Sequence, residues 1–266
     1  MSGSVEPRTS FVSVRREGHV AVITLSRPEA HNAISGAVAD DLRLAARKVA
    51  TDDEAWVVVI AAEGDKAFCV GADLKERGSF DLQDYYDNRR QVREMFGALR
   101  AIPQPTIASV FGFALGGGFE IALSCDLIVA AEGTQMGLPE ARVGLLPAGG
   151  GTQLLTRSLG PARAKEMIFR GRRIDAAEAS ALALVCAVAP PDRLDRVTME
   201  VALEICRSSP IAVREAKRSI DAALGVSMEE GIEIENASWE RVIVSEDRGE
   251  GIAAFNEKRE ARWRNA

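Results

Sequence analysis

Two glutamates stand 20 residues apart, each amid small residues: Glu120 in Gly116-Gly117-Gly118-Phe119-Glu120 and Glu140 in Gly137-Leu138-Pro139-Glu140-Ala141. A pair of carboxylates suits acid/base work, one taking a proton while the other gives one. The three glycines add a different property. They follow an apolar strand and open a helix, where the first N–H groups lack partners and the macrodipole is positive. Glycine also lets a ligand approach the backbone closely. Upstream, Lys66-Ala67-Phe68-Cys69-Val70-Gly71-Ala72-Asp73-Leu74-Lys75 ends a strand in a small-residue turn. Such a turn can leave further N–H groups aimed at a ligand. Two carboxylates and two donor turns fit proton transfer beside a carbonyl through an enolate-like state. Each donor offers about 3–4 kcal/mol to the barrier, and acid/base catalysis a factor of about 10²–10⁴.

Each segment also has a plainer reading. The turn at Ala72 reads as an ordinary β-turn, Glu120 as a surface acid complementing a helix dipole, and Glu140 as an ion-pair partner of Arg142. The run Gly149-Gly150-Gly151 reads as a helix-starting turn, with an anion cradle as the alternative. GxGxxG cannot be laid on GFALGGGFE, and no Lys-Ser/Thr follows, so neither a dinucleotide fingerprint nor a phosphate loop is present. The two histidines, His19 and His31, are too few and isolated for a metal site or a catalytic triad. No metal is expected. Cys69, Cys125, Cys186 and Cys206 form no CxxC pair and are expected as reduced, buried thiols. Asp126 and Glu132 flank a strand and read as structural.

The elements that must position these groups alternate. Phe11 to Val14 and His19 to Leu25 read as a hairpin around Gly18. Trp56 to Ala61, Thr106 to Val110 and Leu127 to Ala131 read as strands buried on both faces. Ser35 to Ala50 has helical spacing. So has Asp81 to Ile102, with Leu82, Tyr85, Val92, Phe96, Leu99 and Ile102 on one stripe. This alternation predicts an α/β protein with a largely parallel core. After Ala189-Pro190-Pro191 the pattern is almost wholly helical, over about 192–207, 210–224, 228–244 and 248–262. Met228, Ile232, Trp239 and Ile243 form an apolar stripe on the third of these. Such a tail has little core of its own and is expected to pack on the core or on another subunit.

Composition bounds the rest. The chain has 266 residues, 47% hydrophobic and 27% charged, enough for a large core and too apolar for global disorder. A net charge of −6 argues against nucleic-acid binding as its main task. MSGSVEPRTS has no apolar leader region, and no apolar run reaches membrane-spanning length. A cytoplasmic protein without membrane partners is the expectation.

The three segments, in this order, resemble the enoyl-CoA hydratase/isomerase (crotonase) superfamily. So do Leu25-Ser26-Arg27-Pro28 with Asn32-Ala33, and Gly251-Ile252-Ala253-Ala254-Phe255-Asn256-Glu257-Lys258-Arg259. The resemblance covers nearly the whole chain. It implies a crotonase-like spiral of ββα repeats with a C-terminal helical trimerisation region: a catalytic core over 1–195 and a helical region over 196–266 for oligomerisation and pocket closure. It implies Ala72 and Gly117 as oxyanion-hole donors to the thioester oxygen, and Glu120 and Glu140 as the catalytic pair of the hydratase branch. Substrate-binding positions are implied at Lys66, Ala72, Asp73, Leu74, Lys75 and Gly116. Phe255 and Lys258 are implied to reach the nucleotide end from a neighbouring subunit. The segment 76–96, with Tyr85 and Tyr86, is expected to line or cover the acyl pocket. The implied activity is hydration of the 2,3 double bond of an enoyl-CoA to a 3-hydroxyacyl-CoA, of the kind used in β-oxidation. Coenzyme A is then part of the substrate, with no separate cofactor, and the assembly a homotrimer or homohexamer. The rival readings are an enoyl-CoA isomerase, a hydratase of a branched or cyclic enoyl-CoA such as methylglutaconyl-CoA, and, more distantly, an RNA- or acyl-CoA-binding protein without catalysis.

Overall fold

A computed structural model describes residues 10–266. The leader reading of the first nine residues and the start of the 1–195 region lie outside the described residues. The hairpin is present, with β1 (Val12–Glu17) and β2 (Val20–Leu25) antiparallel about Gly18. Helix α1 (Gly36–Ala50) follows, N-capped by Ser35, whose hydroxyl accepts from Val38 N–H. Next come β3 (Val57–Ala62), β4 (Ala67–Cys69) and the short α2 (Leu74–Arg77). Helix α3 (Leu82–Arg100) begins with a capping box between Asp81 and Asp84. Two strand-strand-helix units follow: β5 (Thr106–Val110), β6 (Phe113–Leu115) and α4 (Gly117–Leu123), then β7 (Leu127–Ala131), β8 (Gln135–Gly137) and α5 (Gly151–Arg170). The remainder is β9 (Arg173–Asp175), α6 (Ala176–Ala181), β10 (Ala187–Ala189), α7 (Leu194–Ile205), α8 (Pro210–Ala223), α9 (Met228–Ile243) and α10 (Glu246–Glu257).

The strands form two sheets, ordered β1-β2-β3-β5-β7-β10 and β4-β6-β8-β9. All neighbours pair in parallel except β1 with β2 and β8 with β9. From β3 onward, the pairs β3/β4, β5/β6 and β7/β8 each place their first strand in the large sheet and their second in the small one, whereas β1 and β2 both lie in the large sheet, which refines the parallel-core expectation. The large sheet is apolar on both faces because its side chains alternate. Ala21, Ile23, Val58, Ile60, Ala108 and Val110 enter the main core with α1 and α3. Val20, Val22, Val57, Val59, Ile107 and Val129 enter a second cluster, closed by Leu194 and Ala202 of α7. The first tail helix, which spans residue 195, thus covers a sheet face. A buried bond joins it there, Ser109 Oγ to Thr198 Oγ1 at 3.0 Å. Helix α8 is fastened by Lys217, whose Nζ lies 2.7 Å from Asp126 and donates to Gln104 O at 2.9 Å. Asp126 also accepts from Thr106 N and Oγ1, a structural role as expected.

Some details differ from the sequence reading. Leu82 and Tyr85 are exposed at the start of α3, where Tyr85 borders a cavity. The last helix stops at Glu257, where Lys258 turns left-handed (φ 54°). Of the four free thiols only Cys69 is buried. Cys125 and Cys206 are half-buried and Cys186 is exposed at the edge of β10. Met228, Ile232 and Trp239 of the α9 stripe lie exposed on this single chain.

Close approach of backbones decides where α4 sits. A Cβ at Gly118 would lie 2.0 Å from the Cys69 carbonyl oxygen, so only glycine lets α4 rest on β4. Gly118→Ala should therefore cost about 3 kcal/mol or more in urea denaturation. Gly97→Ala is the control, since its Cβ meets nothing within 4 Å; it should stabilise by about 0.5–1 kcal/mol. Equal effects would contradict the packing described. Thr198→Val strands the buried Ser109 hydroxyl and should cost about 1–3 kcal/mol. An unchanged urea midpoint would mean that α7 is not docked through this bond.

Candidate active site

The three chemistry-bearing segments meet around one cavity of about 540 Å³. Its walls are the turn at Val70–Ala72, the start of α4, the 139–149 segment and the inner face of α3. Ile34 fixes the turn by accepting and donating on either side of Ala72: Ile34 N–H bonds Gly71 O at 2.8 Å, and Asp73 N–H bonds Ile34 O at 3.0 Å. That pairing leaves the Ala72 N–H without an acceptor among the described residues. Gly117, the first residue of α4, carries one of the unpartnered N–H groups of a helix start. A Cβ on Gly117 would stand 3.9 Å from Ala72 N and 3.5 Å from Gly71 Cα, so both N–H groups border the same space.

Glu120 is not the surface acid of the plainer reading; it is 3% exposed. Its Oε1 accepts two backbone bonds, from Gly149 N–H and Gly151 N–H, both at 2.7 Å. The glycine run is therefore both the start of α5 and a cradle, its anion being a side chain of the same protein. No side chain fits on the cradle: a Cβ at Gly149 would strike the Phe96 ring at 2.2 Å, and one at Gly151 would reach Glu120 Oε1 at 2.9 Å. Arg100 braces the loop by donating to Gly149 O at 2.8 Å. Burial raises the Glu120 pKa. The cradle amides and the Arg89 charge oppose that rise without cancelling it.

Glu140 opens a short 3₁₀ turn, Glu140–Val143, after Pro139. Its expected partner is elsewhere: Arg142 donates to Arg170 O at 3.0 and 2.7 Å. Glu140 Oε2 is buried and has no hydrogen-bond partner among the described residues. Its Oε1 sits where a Cβ on Gly116 would come within 2.9 Å. Burial, with the Glu120 charge adding to it, pushes the Glu140 carboxyl up to about 7, against the pull of its own backbone N–H. The pair is thus uneven: one carboxylate is held by backbone donors, and the other has an unsatisfied oxygen and is raised to about 7.

Ala72, Leu74, Gly116, Gly117, Glu120 and Glu140 all line the cavity. Asp73 does not; it caps α2 through Lys75 N–H and Glu76 N–H and pairs with Arg27 at 2.7 Å. Lys66 and Lys75 are exposed outside the lining. Phe255 is 84% exposed near the end of α10, and neither it nor Lys258 borders the cavity of its own chain. Of the two tyrosines, Tyr85 lines the cavity and Tyr86 does not. Sequence reasoning missed Arg77 and Arg89, and it offered the glycine run as an anion cradle without finding that Glu120 is the anion. The signal for the run was three consecutive glycines shortly after Pro147.

Comparison with known proteins agrees with this geometry. The enoyl-CoA hydratase/isomerase family pattern matches residues 15–266. A Bacillus subtilis protein named as an enoyl-CoA hydratase/isomerase is 41% identical over 252 residues, covering 95% of this chain and 97% of its own. The mitochondrial enoyl-CoA hydratase domain-containing protein 2 of Bos taurus is 42% identical over 248 residues, covering 92% and 84% respectively. The crystal structure of an enoyl-CoA hydratase from Bacillus anthracis superposes with a TM-score of 0.94 at 38% identity, covering 96% of this chain and 100% of that one. The chain belongs to the enoyl-CoA hydratase/isomerase family and has the crotonase fold.

Proposed function

We propose that the chain adds water across the 2,3 double bond of an enoyl-CoA, giving a 3-hydroxyacyl-CoA by syn addition. The observation that carries this reading is the unevenness of the glutamate pair beside two free N–H groups. The thioester oxygen accepts from Ala72 N–H and Gly117 N–H, which stabilise the charge that develops on it as the enolate forms. Glu120, with Oε1 anchored, keeps Oε2 for the water and takes its proton. Glu140, neutral below about pH 7, gives a proton to Cα. Double-bond isomerisation needs only one shuttling carboxylate, so the presence of both favours hydration. The chemistry uses only the chain and its thioester, with no separate cofactor.

Binding of the anionic CoA falls to local groups, since the net charge is −6. Lys66 and Lys75 lie beside the turn, and Phe255 and Lys258 come from a neighbouring copy in the same proposal. The exposed stripe Met228, Ile232 and Trp239 supports a homotrimer or homohexamer that covers it. Among the described residues no helix is long and apolar enough to cross a membrane. A cytoplasmic setting is proposed, although some relatives carry mitochondrial names.

Glu140→Gln should lower hydration of crotonyl-CoA by about 10²–10⁴ while changing acyl-CoA affinity only a few-fold. Loss of the enoyl-thioester absorbance and calorimetric titration measure the two effects, and near-normal turnover would refute the assignment. The pH profile follows from the sign of the shift. The proton that Glu140 must supply is held below about pH 7 and lost above it, so kcat/KM for hydration should fall as pH rises through about 7. A carboxyl at its ordinary value of 4.5 would put that fall well into the acid range.

A further inference from the structure

Four arginines line the cavity: Arg142 donates to Arg170 O and Arg173 lies over the Phe113 ring, which leaves two whose place is unexplained. These are Arg77, at the end of α2, and Arg89, on α3. No carboxylate of the described residues is within ion-pair distance of either, whereas the adjacent Arg90 pairs with Asp87 at 2.6 Å. Arg77 is half-buried, and its guanidinium is held by Asn88, donating to Oδ1 at 3.0 Å. Asn88 is itself buried. The nearest acids are already engaged. Glu76 accepts from Gly36 N–H, and Glu120 is anchored in its glycine cradle. Burial and the neighbouring Arg89 charge both work against the charge on Arg77, only partly offset by Tyr85, Glu76 and Glu120. A guanidinium kept in a largely apolar cavity without an anionic partner is costly, and an anion entering the cavity would remove that cost.

The geometry points to a substrate class: an enoyl-CoA whose acyl chain ends in a second carboxylate, bound by Arg77 and Arg89. This rests on the acyl-CoA reading above, in which CoA follows the turn at Ala72–Lys75 and the acyl chain runs along residues 76–96. The thioester oxygen at Ala72 and Gly117 then leaves the far end of the chain facing the α2–α3 wall. Tyr85 and Asn88 add polar groups on that wall, while Val92 and Phe96 line the apolar stretch between. The guanidinium pair suits a carboxylate, which accepts paired N–H donors in its own plane.

Binding of unreactive saturated thioesters tests this apart from catalysis. Calorimetry would compare glutaryl-CoA with valeryl-CoA and adipyl-CoA with hexanoyl-CoA, so that the CoA contribution cancels within each pair. The dicarboxylic member of at least one pair should bind about 10- to 100-fold more tightly, the range of one charge-assisted bond. Equal or weaker binding of the dicarboxylic member in both pairs would overturn the proposal. Arg89 is exposed and makes no ion pair, so Arg89→Met should fold; it should bring the affinity ratio close to one. A ratio that persists in this variant, or an equal loss of affinity for both members, would instead assign Arg89 to the CoA phosphates or to support of Glu120. Turnover of glutaconyl-CoA against 2-pentenoyl-CoA then reports on the reaction itself. A carboxylate preference in binding with hydration of neither compound would leave the anion site standing and refute the hydration reading.

Discussion

Glu120 is almost wholly removed from water, and it keeps a place there because Gly149 and Gly151 hold one of its oxygens at 2.7 Å. Burying a carboxylate without such donors is prohibitive. The rest of the site follows from this bond pair. It fixes the start of α5 against the start of α4 and brings the 139–149 segment over the cavity. The three glycines at 149–151 meet separate steric needs: the Phe96 ring beneath the first, a φ of 130° at the second, and the Glu120 carboxylate against the third. The run is therefore a fitted surface. Added flexibility would defeat its purpose.

The same bonds divide labour between the two acids. Donors on Glu120 favour its charged form, whereas Glu140 has burial, a neighbouring negative charge and an unsatisfied oxygen. The Glu120 charge adds to burial in raising the Glu140 carboxyl, so the proton is favoured on Glu140. The N–H groups of Ala72 and Gly117 belong to the same framework. Gly118 lets α4 rest on β4, and that contact sets Gly117 beside Ala72.

Much of the large sheet was legible from residue patterns, because strands of five or six apolar residues leave a clear trace. The small sheet was not. Its strands, β4, β6, β8 and β9, are three residues long, too short for alternation to register. The spiral of ββα units was therefore accessible only through resemblance to a known family. Glu120, Glu140 and the glycines around them stood out by type and spacing. The bond from Glu120 to Gly149 did not, since backbone N–H direction leaves no mark in side-chain periodicity. Arg77 and Arg89 were hidden for another reason: on amphipathic helices an arginine facing a cavity has the same sequence trace as one facing water. The Lys217–Asp126 contact joins residues far apart in the chain and had no local signal at all.

Proton exchange at Cα of a saturated thioester isolates the central claim, because butyryl-CoA cannot be hydrated and Glu120 has no water to activate against it. Exchange into D2O would require Glu140 in its ionised form to remove the Cα proton, with Ala72 and Gly117 N–H stabilising the enolate. The account predicts an exchange rate, followed by NMR, that rises as pH increases through about 7 and is abolished in Glu140→Gln. Exchange that is absent, independent of pH across that range, or retained in Glu140→Gln would contradict it.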